Sequence, residues 1–432
     1  MPRFFLRSRV WFVIFLLALS NLGCSVSQYI HREVKKSSVL SQHHVGISVY
    51  DPARKKTLAA YQDDHYFTPA SNTKLFSFYA GLSVLGDSVP GLEYQLRDST
   101  LFFRGTGDPS LFHPDLPPSA VVDFLKNRKE KLVFSGKNFE TTAFGPGWAW
   151  SDYSDYYQAE RSPLPVYGNI ARFTSPSGLY VRVQPEFLQD SVSLDTTISG
   201  IDRAQFSNQF RRSVNALPAG LEQDVPFRTS DALTAQLLTK ALKKDVLVKN
   251  EVMLPPFQKV YSIPSDSLYR RMMQVSDNMM AEQLMLVYAS ANGLPLDTKK
   301  AIAHAQENLL ADLPDLPLWR DGSGLSRYNL FTPRTMVALL DKIHEKIPQE
   351  RLFMILPAGG QSGTLRNMFK GKDAFVFAKT GSLSNVFCLS GYLITQKGKL
   401  LYFSFMNNNY TKTTAEIRQE VARVLTGLHE KY

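Results

Sequence analysis

Pro69-Ala70-Ser71-Asn72-Thr73-Lys74-Leu75 heads a segment in which Leu75, Phe78, Leu82 and Leu85 recur at helical spacing. Pro69 suits the approach to a first turn, so the spacing predicts a helix that begins at Ser71. Lys74 then lies one turn on, on the same face, within reach of the Ser71 hydroxyl. A lysine so placed can activate a serine, provided burial or a neighbouring cation keeps some of the amine neutral. Serine followed three residues later by lysine is expected by chance about twice in a chain of this length. Alone, the pattern is better read as an ordinary helix start.

Two further stretches change its weight. Ser276-Asp277-Asn278 follows a helix-like segment in which Leu268, Met272 and Val275 share a face. Lys379-Thr380-Gly381-Ser382 follows the alternating run Ala374-Phe375-Val376-Phe377-Ala378, which reads as a strand. Three motifs rich in hydroxyls and amines, in this order and in these contexts, have a small joint chance of occurring.

The 432 residues give ample material for a large core and two or three domains, and 44% hydrophobic with 20% charged residues is a globular composition. The formal charge of +10 favours an anionic neighbourhood such as cell-wall polymer or acidic lipid, with simple solubility as the plain alternative. Zinc-finger spacing and ribonucleoprotein motifs are absent from the sequence, so nucleic acid is not an expected partner. His43, His44, Asp63, Asp64 and His65 form no recognisable ligand pair, and no metal or cofactor is expected. Arg3, Arg7 and Arg9 precede the apolar run Val10–Leu19, and small and polar residues then lead to Gly23-Cys24. These are the proportions of a secretory signal over residues 1–23, and the cysteine resembles a bacterial lipoprotein site at which Cys24 becomes the lipidated mature N-terminus. The expected location is the periplasm or cell envelope, with a membrane anchor through Cys24. Cys388, in Val386-Phe387-Cys388-Leu389, reads as a small buried core residue.

Residues 25–42 read as a polar linker. Val45, Ile47 and Val49, then Leu58 to Tyr61, read as a hairpin. Residues 88–250 read as one or two inserted domains, which leaves 43–87 and 251–432 as a single catalytic unit. Within the insertion, Trp148-Ala149-Trp150-Ser151-Asp152 is either a ligand-facing wall or an anchored loop. Val386–Leu393 and Leu400–Met406 read as antiparallel strands, and Ile417, Val421, Val424 and Leu428 mark a closing helix, so that terminal helices sandwich one sheet.

The order serine-x-x-lysine, serine-x-asparagine, lysine-threonine-glycine is that of penicillin-binding proteins and serine β-lactamases. From about Val45 to Leu428 the chain resembles the D-alanyl-D-alanine carboxypeptidase/endopeptidase family of class C low-molecular-mass penicillin-binding proteins, peptidase family S13. Besides the three motifs, Gly107-Asp108-Pro109, Trp148-Ala149-Trp150, Asp321-Gly322-Ser323-Gly324-Leu325-Ser326-Arg327 and Gly363-Thr364-Leu365 carry the resemblance. It implies an α/β (α+β) fold, an antiparallel sheet flanked by helices and interrupted by inserted domains, that cleaves peptidoglycan stem peptides and is acylated by β-lactam antibiotics. It also implies Ser71 as nucleophile, Lys74 as its base, and Ser276 and Asn278 on the opposite wall. Lys379 and Thr380 would hold the substrate carboxylate, with Gly381 small enough to let the substrate strand lie close. The N–H groups of Ser71 and Ser382 would form the oxyanion hole. Asp152 and Arg327 would meet the far end of the substrate side chain. Ser384 stands where the family commonly has glutamine, a departure that bears on fine substrate preference. The rivals are a β-lactamase of the same superfamily and a non-catalytic peptidoglycan-binding scaffold.

Overall fold

The computed structural model describes residues 25–432; the expected signal segment over residues 1–23 and Cys24 lie outside them. Helix α1 (Val26–Lys36) opens the described chain where a linker was expected. Ser25 and Gln28 form a reciprocal capping box, and Val26, Tyr29, Ile30 and Val34 make a buried stripe. Segment 25–42 thus belongs to the core, because four apolar side chains on one helical face need a surface to cover. Strands β1 (His44–Asp51) and β2 (Lys56–Tyr61) form the expected hairpin. A 3-10 turn at Ala70–Thr73 then leads into α2 (Lys74–Val84).

The insertion follows as β3 (Ser88–Arg97), β4 (Thr100–Gly105), α3 (Ala120–Lys126), β5 (Lys131–Phe134), β6 (Ile170–Ser175), β7 (Arg182–Gln184) and β8 (Val192–Asp195). It continues through β9 (Ile201–Arg203), β10 (Phe210–Ser213), β11 (Leu221–Pro226), α4 (Asp231–Leu242), β12 (Val246–Val248) and β13 (Gln258–Pro264). Its sheets run β12-β5-β4-β3-β13, β11-β6-β7 and β8-β10-β9, around a core that includes Leu92, Phe103, Phe134, Phe173 and Leu238. Strand β13 pairs with β3, so the insertion ends near residue 264 and not at 250. Its two ends lie side by side, since the Ser265 N–H donates to Asp87 O at 2.9 Å.

The chain then returns through α5 (Ser265–Gln274), α6 (Asn278–Ala291), α7 (Thr298–Leu309), α8 (Pro333–Lys346) and α9 (Gln349–Ile355). Strands β14 (Val376–Leu383), β15 (Val386–Ile394) and β16 (Leu400–Asn408) and helix α10 (Thr414–Lys431) close it. The main sheet has the order β14-β15-β16-β1-β2, antiparallel throughout, which makes β14 an edge. Alternation divides its side chains between two cores. Val45, Ile47, Phe387, Leu389, Phe403 and Phe405 face α1 and α10, whereas Cys388, Tyr392, Tyr402 and Met406 face the larger helical layer. Both terminal helices therefore lie on one face; α2, α6 and α8 belong to the other. Cys388 is a buried free thiol, with its pKa pushed up to about 12 by that burial.

Candidate active site

Three chain segments meet at the edge of β14. Ser71 lies in the 3-10 turn before α2 and not in the helix itself, because Ala70 adopts a left-handed conformation (φ +47°) that delays the helix to Lys74. The loop that begins at Asp321 presses on this turn: a Cβ on Gly324 would sit 1.9 Å from Ala70 O, and Gly324 itself has φ +82°. Lys74 is fully buried. Its Nζ donates to Ser71 Oγ at 2.9 Å, to Asn278 Oδ1 at 2.6 Å and to Ser323 O at 2.7 Å. Burial lowers its pKa from 10.5 to about 8, against the pull of Asp321, Glu282 and Asp277 in the other direction. Of the two causes open at the level of sequence, burial is the one that acts on Lys74.

Ser276 occupies the two-helix corner between α5 and α6, again with a positive φ, +63°. Such a backbone costs a non-glycine residue about 1–2 kcal/mol and is held here by its surroundings. Asp277 caps α6 by accepting from the Met280 N–H at 3.2 Å, and Arg271 donates to its other oxygen at 3.1 Å. Asn278 Nδ2 donates to Tyr157 O at 2.9 Å. Lys379, also fully buried, donates to Ser276 Oγ at 2.8 Å and to Thr380 O at 2.7 Å. Its pKa is driven well below the ordinary lysine value, first by burial and then by the charge of Lys74.

Serine and lysine are thus paired twice across one cleft, and burial pushes both amines below the ordinary lysine pKa. The arrangement can deprotonate a hydroxyl on one wall and deliver a proton from the other, which is the chemistry of acyl transfer. The cleft holds about 810 Å³ and is lined by Ser71, Ser276, Asn278, Asp152, Arg327 and Ser382 among others.

Comparison with known proteins gives the family. Residues 26–428 match the D-Ala-D-Ala carboxypeptidase 3 (S13) family. The chain belongs to that family. Among S13 relatives, it is 25% identical to the D-alanyl-D-alanine carboxypeptidase DacB of Haemophilus influenzae, with 88% of each chain covered. To a D-alanyl-D-alanine carboxypeptidase of an Actinomadura species it is 29% identical, over 85% of this chain and 78% of that one. The fold is shared with the crystal structure of penicillin binding protein 4 (dacB) from Haemophilus influenzae, with TM-score 0.75, 20% identity, and 93% of this chain and 99% of that chain covered.

The S13 chain brings all ten expected catalytic and binding residues to or beside the cleft, some of them in unexpected ways. Gly381 faces the Ser71 turn: a Cβ there would lie 2.4 Å from Pro69 O and 3.0 Å from Asn72 N, so the glycine serves close packing of β14 on the turn. Asn72 reinforces that seam by donating to Lys379 O at 2.8 Å. The Thr380 hydroxyl donates to Thr364 Oγ1 at 2.7 Å. Asp152 accepts from the Tyr157 hydroxyl at 3.0 Å, and so does Asp155, but only Asp152 lines the main cleft. Arg327 is exposed and donates to Ser384 O at 2.9 Å. Trp148 is an anchor, donating to Asp321 Oδ2 at 2.8 Å, whereas Trp150 stands 76% exposed.

Sequence reasoning missed Glu282, which is buried on α6 and accepts the Ser323 N–H at 2.8 Å, thereby fixing the carbonyl that receives Lys74. Burial and then Asp321 push its carboxyl upward in pKa, while Arg161, 3.4 Å away, opposes them. It also missed Asp321 as the hub of its loop, accepting from Gly324 N, Ser326 N, Asn329 and Trp148. The density of small polar residues around Asp321 was the available signal; Glu282 offered none.

Proposed function

We propose that this S13 protein is a serine-type D-alanyl-D-alanine carboxypeptidase and D,D-endopeptidase that hydrolyses peptidoglycan stem peptides through an acyl-enzyme at Ser71. The observation that carries the reading is the 2.9 Å contact of a buried, partly neutral Lys74 with the Ser71 hydroxyl. Lys74 takes the Ser71 proton as Oγ bonds to the penultimate D-alanine carbonyl carbon. The N–H groups of Ser71 and Ser382 receive the oxyanion, where one donor is typically worth about 3 kcal/mol. The departing amine takes a proton from Ser276 Oγ, and the proton that Lys74 took from Ser71 passes across the cleft to restore the Ser276 hydroxyl, which leaves Lys74 neutral for the next step. Water then cleaves the ester, restoring the Ser71 hydroxyl and releasing the new carboxylate. Carboxypeptidase and endopeptidase action differ only in the amine that leaves.

Because Lys379 is fully buried, it acts through Ser276, to which it donates at 2.8 Å, with Thr380 at the strand edge making the direct contact with the substrate carboxylate. Asn278 holds Lys74 and the loop carbonyl of Tyr157, which gives it a positioning part more than a peptide-binding one. Asp152 receives the free amine of a meso-diaminopimelate side chain, with Arg327 at the same end of the cleft. β-Lactams acylate the same hydroxyl. Export to the cell envelope and lipidation of Cys24 complete the proposal; among the described residues no helix is long and apolar enough to cross a membrane.

Fluorescent penicillin tests the reading on the exported chain and its Ser71→Ala variant. Label on the parent alone that survives a chase is the expected result. Label lost rapidly during the chase would instead identify a β-lactamase, and an unlabelled parent a scaffold.

A further inference from the structure

Behind the loop that carries Asp152, the insertion holds a second concave surface. Two adjoining hollows of about 210 and 400 Å³ share Phe144, Glu160 and Arg228. Over the smaller hollow stand Trp150 and Phe206, respectively 76% and 81% exposed, with Tyr153 beside them. Two large rings left in water on neighbouring segments far apart in sequence call for a ligand, since a monomer ordinarily scatters such residues singly.

The surface is built and rigid. Arg203, buried at 1% exposure, donates to Ala204 O, Gln205 O and Ser207 O in the turn that bears Phe206, and to Tyr153 O in the loop that bears Trp150. Arg228 ties in the same turn, exchanging hydrogen bonds with Asn208 at 2.7 and 3.0 Å and donating to Gln205 O. Polar side chains line the hollows beside the rings: exposed Arg228 borders both, half-buried Gln205 the smaller one and exposed Ser230 the larger.

We infer that this groove binds the glycan strand of peptidoglycan, a use that rests on the reading of the cleft as a stem-peptide site. Sugar rings present C–H faces to aromatic rings and hydroxyls that both donate and accept, which suits exposed rings beside the guanidinium of Arg228, the amide of Gln205 and the hydroxyl of Ser230. Location argues the same way. Gly147, Ala149, Asp152, Tyr156 and Tyr157 of one loop line the catalytic cleft, while Trp148, Trp150, Tyr153 and Gln158 of that loop line the groove. A stem of about five residues reaches at most roughly 18 Å, so its glycan must lie on or just behind a wall of the cleft.

Two measurements test this with the exported chain. Ser71→Ala protein is sedimented with insoluble glycan strands stripped of peptide, and Trp150 is read by fluorescence quenching on addition of soluble strands. Binding is expected, and the Trp150→Ala/Phe206→Ala change should weaken it about tenfold, with Trp150→Tyr recovering most of the loss. In the second arm, on a chain with Ser71 intact, the double variant should raise KM for a disaccharide-bearing muropeptide and leave kcat/KM for a free peptide ending in D-alanyl-D-alanine unchanged. Failure of the parent to sediment overturns the inference, as does equal slowing on both substrates. Should the parent cleave neither substrate, the stem-peptide reading fails, and the sedimentation arm still decides the groove.

Discussion

At the scale of single residues, the site is set by how burial treats two lysines. The fall of the Lys74 pKa from 10.5 to about 8 disfavours its ammonium by about 3 kcal/mol. A depressed lysine destabilises the fold most fully below its folded value; the deficit shrinks as pH rises from about 8 towards 10.5, where the unfolded chain binds the extra proton. Catalysis gains by the same shift. The second-order rate of β-lactam acylation, followed by stopped flow, is expected to rise tenfold per pH unit and level off near pH 8. Lys74→Arg should abolish acylation at every pH, because a guanidinium stays charged. Gly381→Ala makes a different expectation. Its Cβ meets backbone at 2.4 Å, Pro69 O, so the variant should lose about 1–3 kcal/mol in urea unfolding and acylate slowly as β14 backs away from the Ser71 turn. That Ser71, Lys74, Ser276, Asn278 and Lys379 meet around one cleft was legible because the signal resides in side-chain type and order. The Ser323 carbonyl that receives Lys74 was not, since a backbone acceptor leaves no mark on sequence.

At the scale of elements, α1 shows both the reach and the failure of periodicity. Val26, Tyr29, Ile30 and Val34 lie at helical spacing behind a Ser25–Gln28 capping box, but polar residues between them gave the stretch the composition of a linker. Its role is structural: the Tyr29 hydroxyl donates to Val424 O at 3.1 Å, and Gly427 is small enough to let that ring approach. Ile30→Ala should therefore cost about 2–5 kcal/mol in urea unfolding, like other deletions from a filled core, whereas a true linker would register nothing. Penicillin labelling of the surviving folded fraction should be unchanged, because α1 lies on the sheet face opposite the helix that bears Lys74. Strand β13 was misplaced for a related reason. Strand pairing across the long separation between Leu92 and Val260 joins elements whose own sequences carry no partner label.

At the scale of the whole molecule, the insertion is coupled to the catalytic unit through groups that neither part can satisfy alone. Asn278 donates to Tyr157 O, Gln283 donates to Gly107 O and Ser162 O, and Arg161 pairs with Glu282 where both side chains are 1% exposed. The last contact makes a decisive case. Arg161→Met leaves a buried carboxylate without its cation, which costs about 3–5 kcal/mol. Glu282 already has its pKa raised by burial and by Asp321, and losing the arginine raises it further. A carboxyl whose folded pKa lies above its unfolded value binds more protons when folded, so stability declines as pH rises through that window. The deficit of the variant in urea unfolding should therefore be small near pH 5 and grow towards pH 8. Neutralising Glu282 also removes one of the charges that hold the Lys74 pKa up, so the acid limb of acylation should move to lower pH in the same protein. A variant that destabilised equally at all pH values, or left the limb in place, would separate the insertion from the chemistry. Movement of both would establish that the inserted domain sets the proton affinity of the catalytic lysine from across the interface.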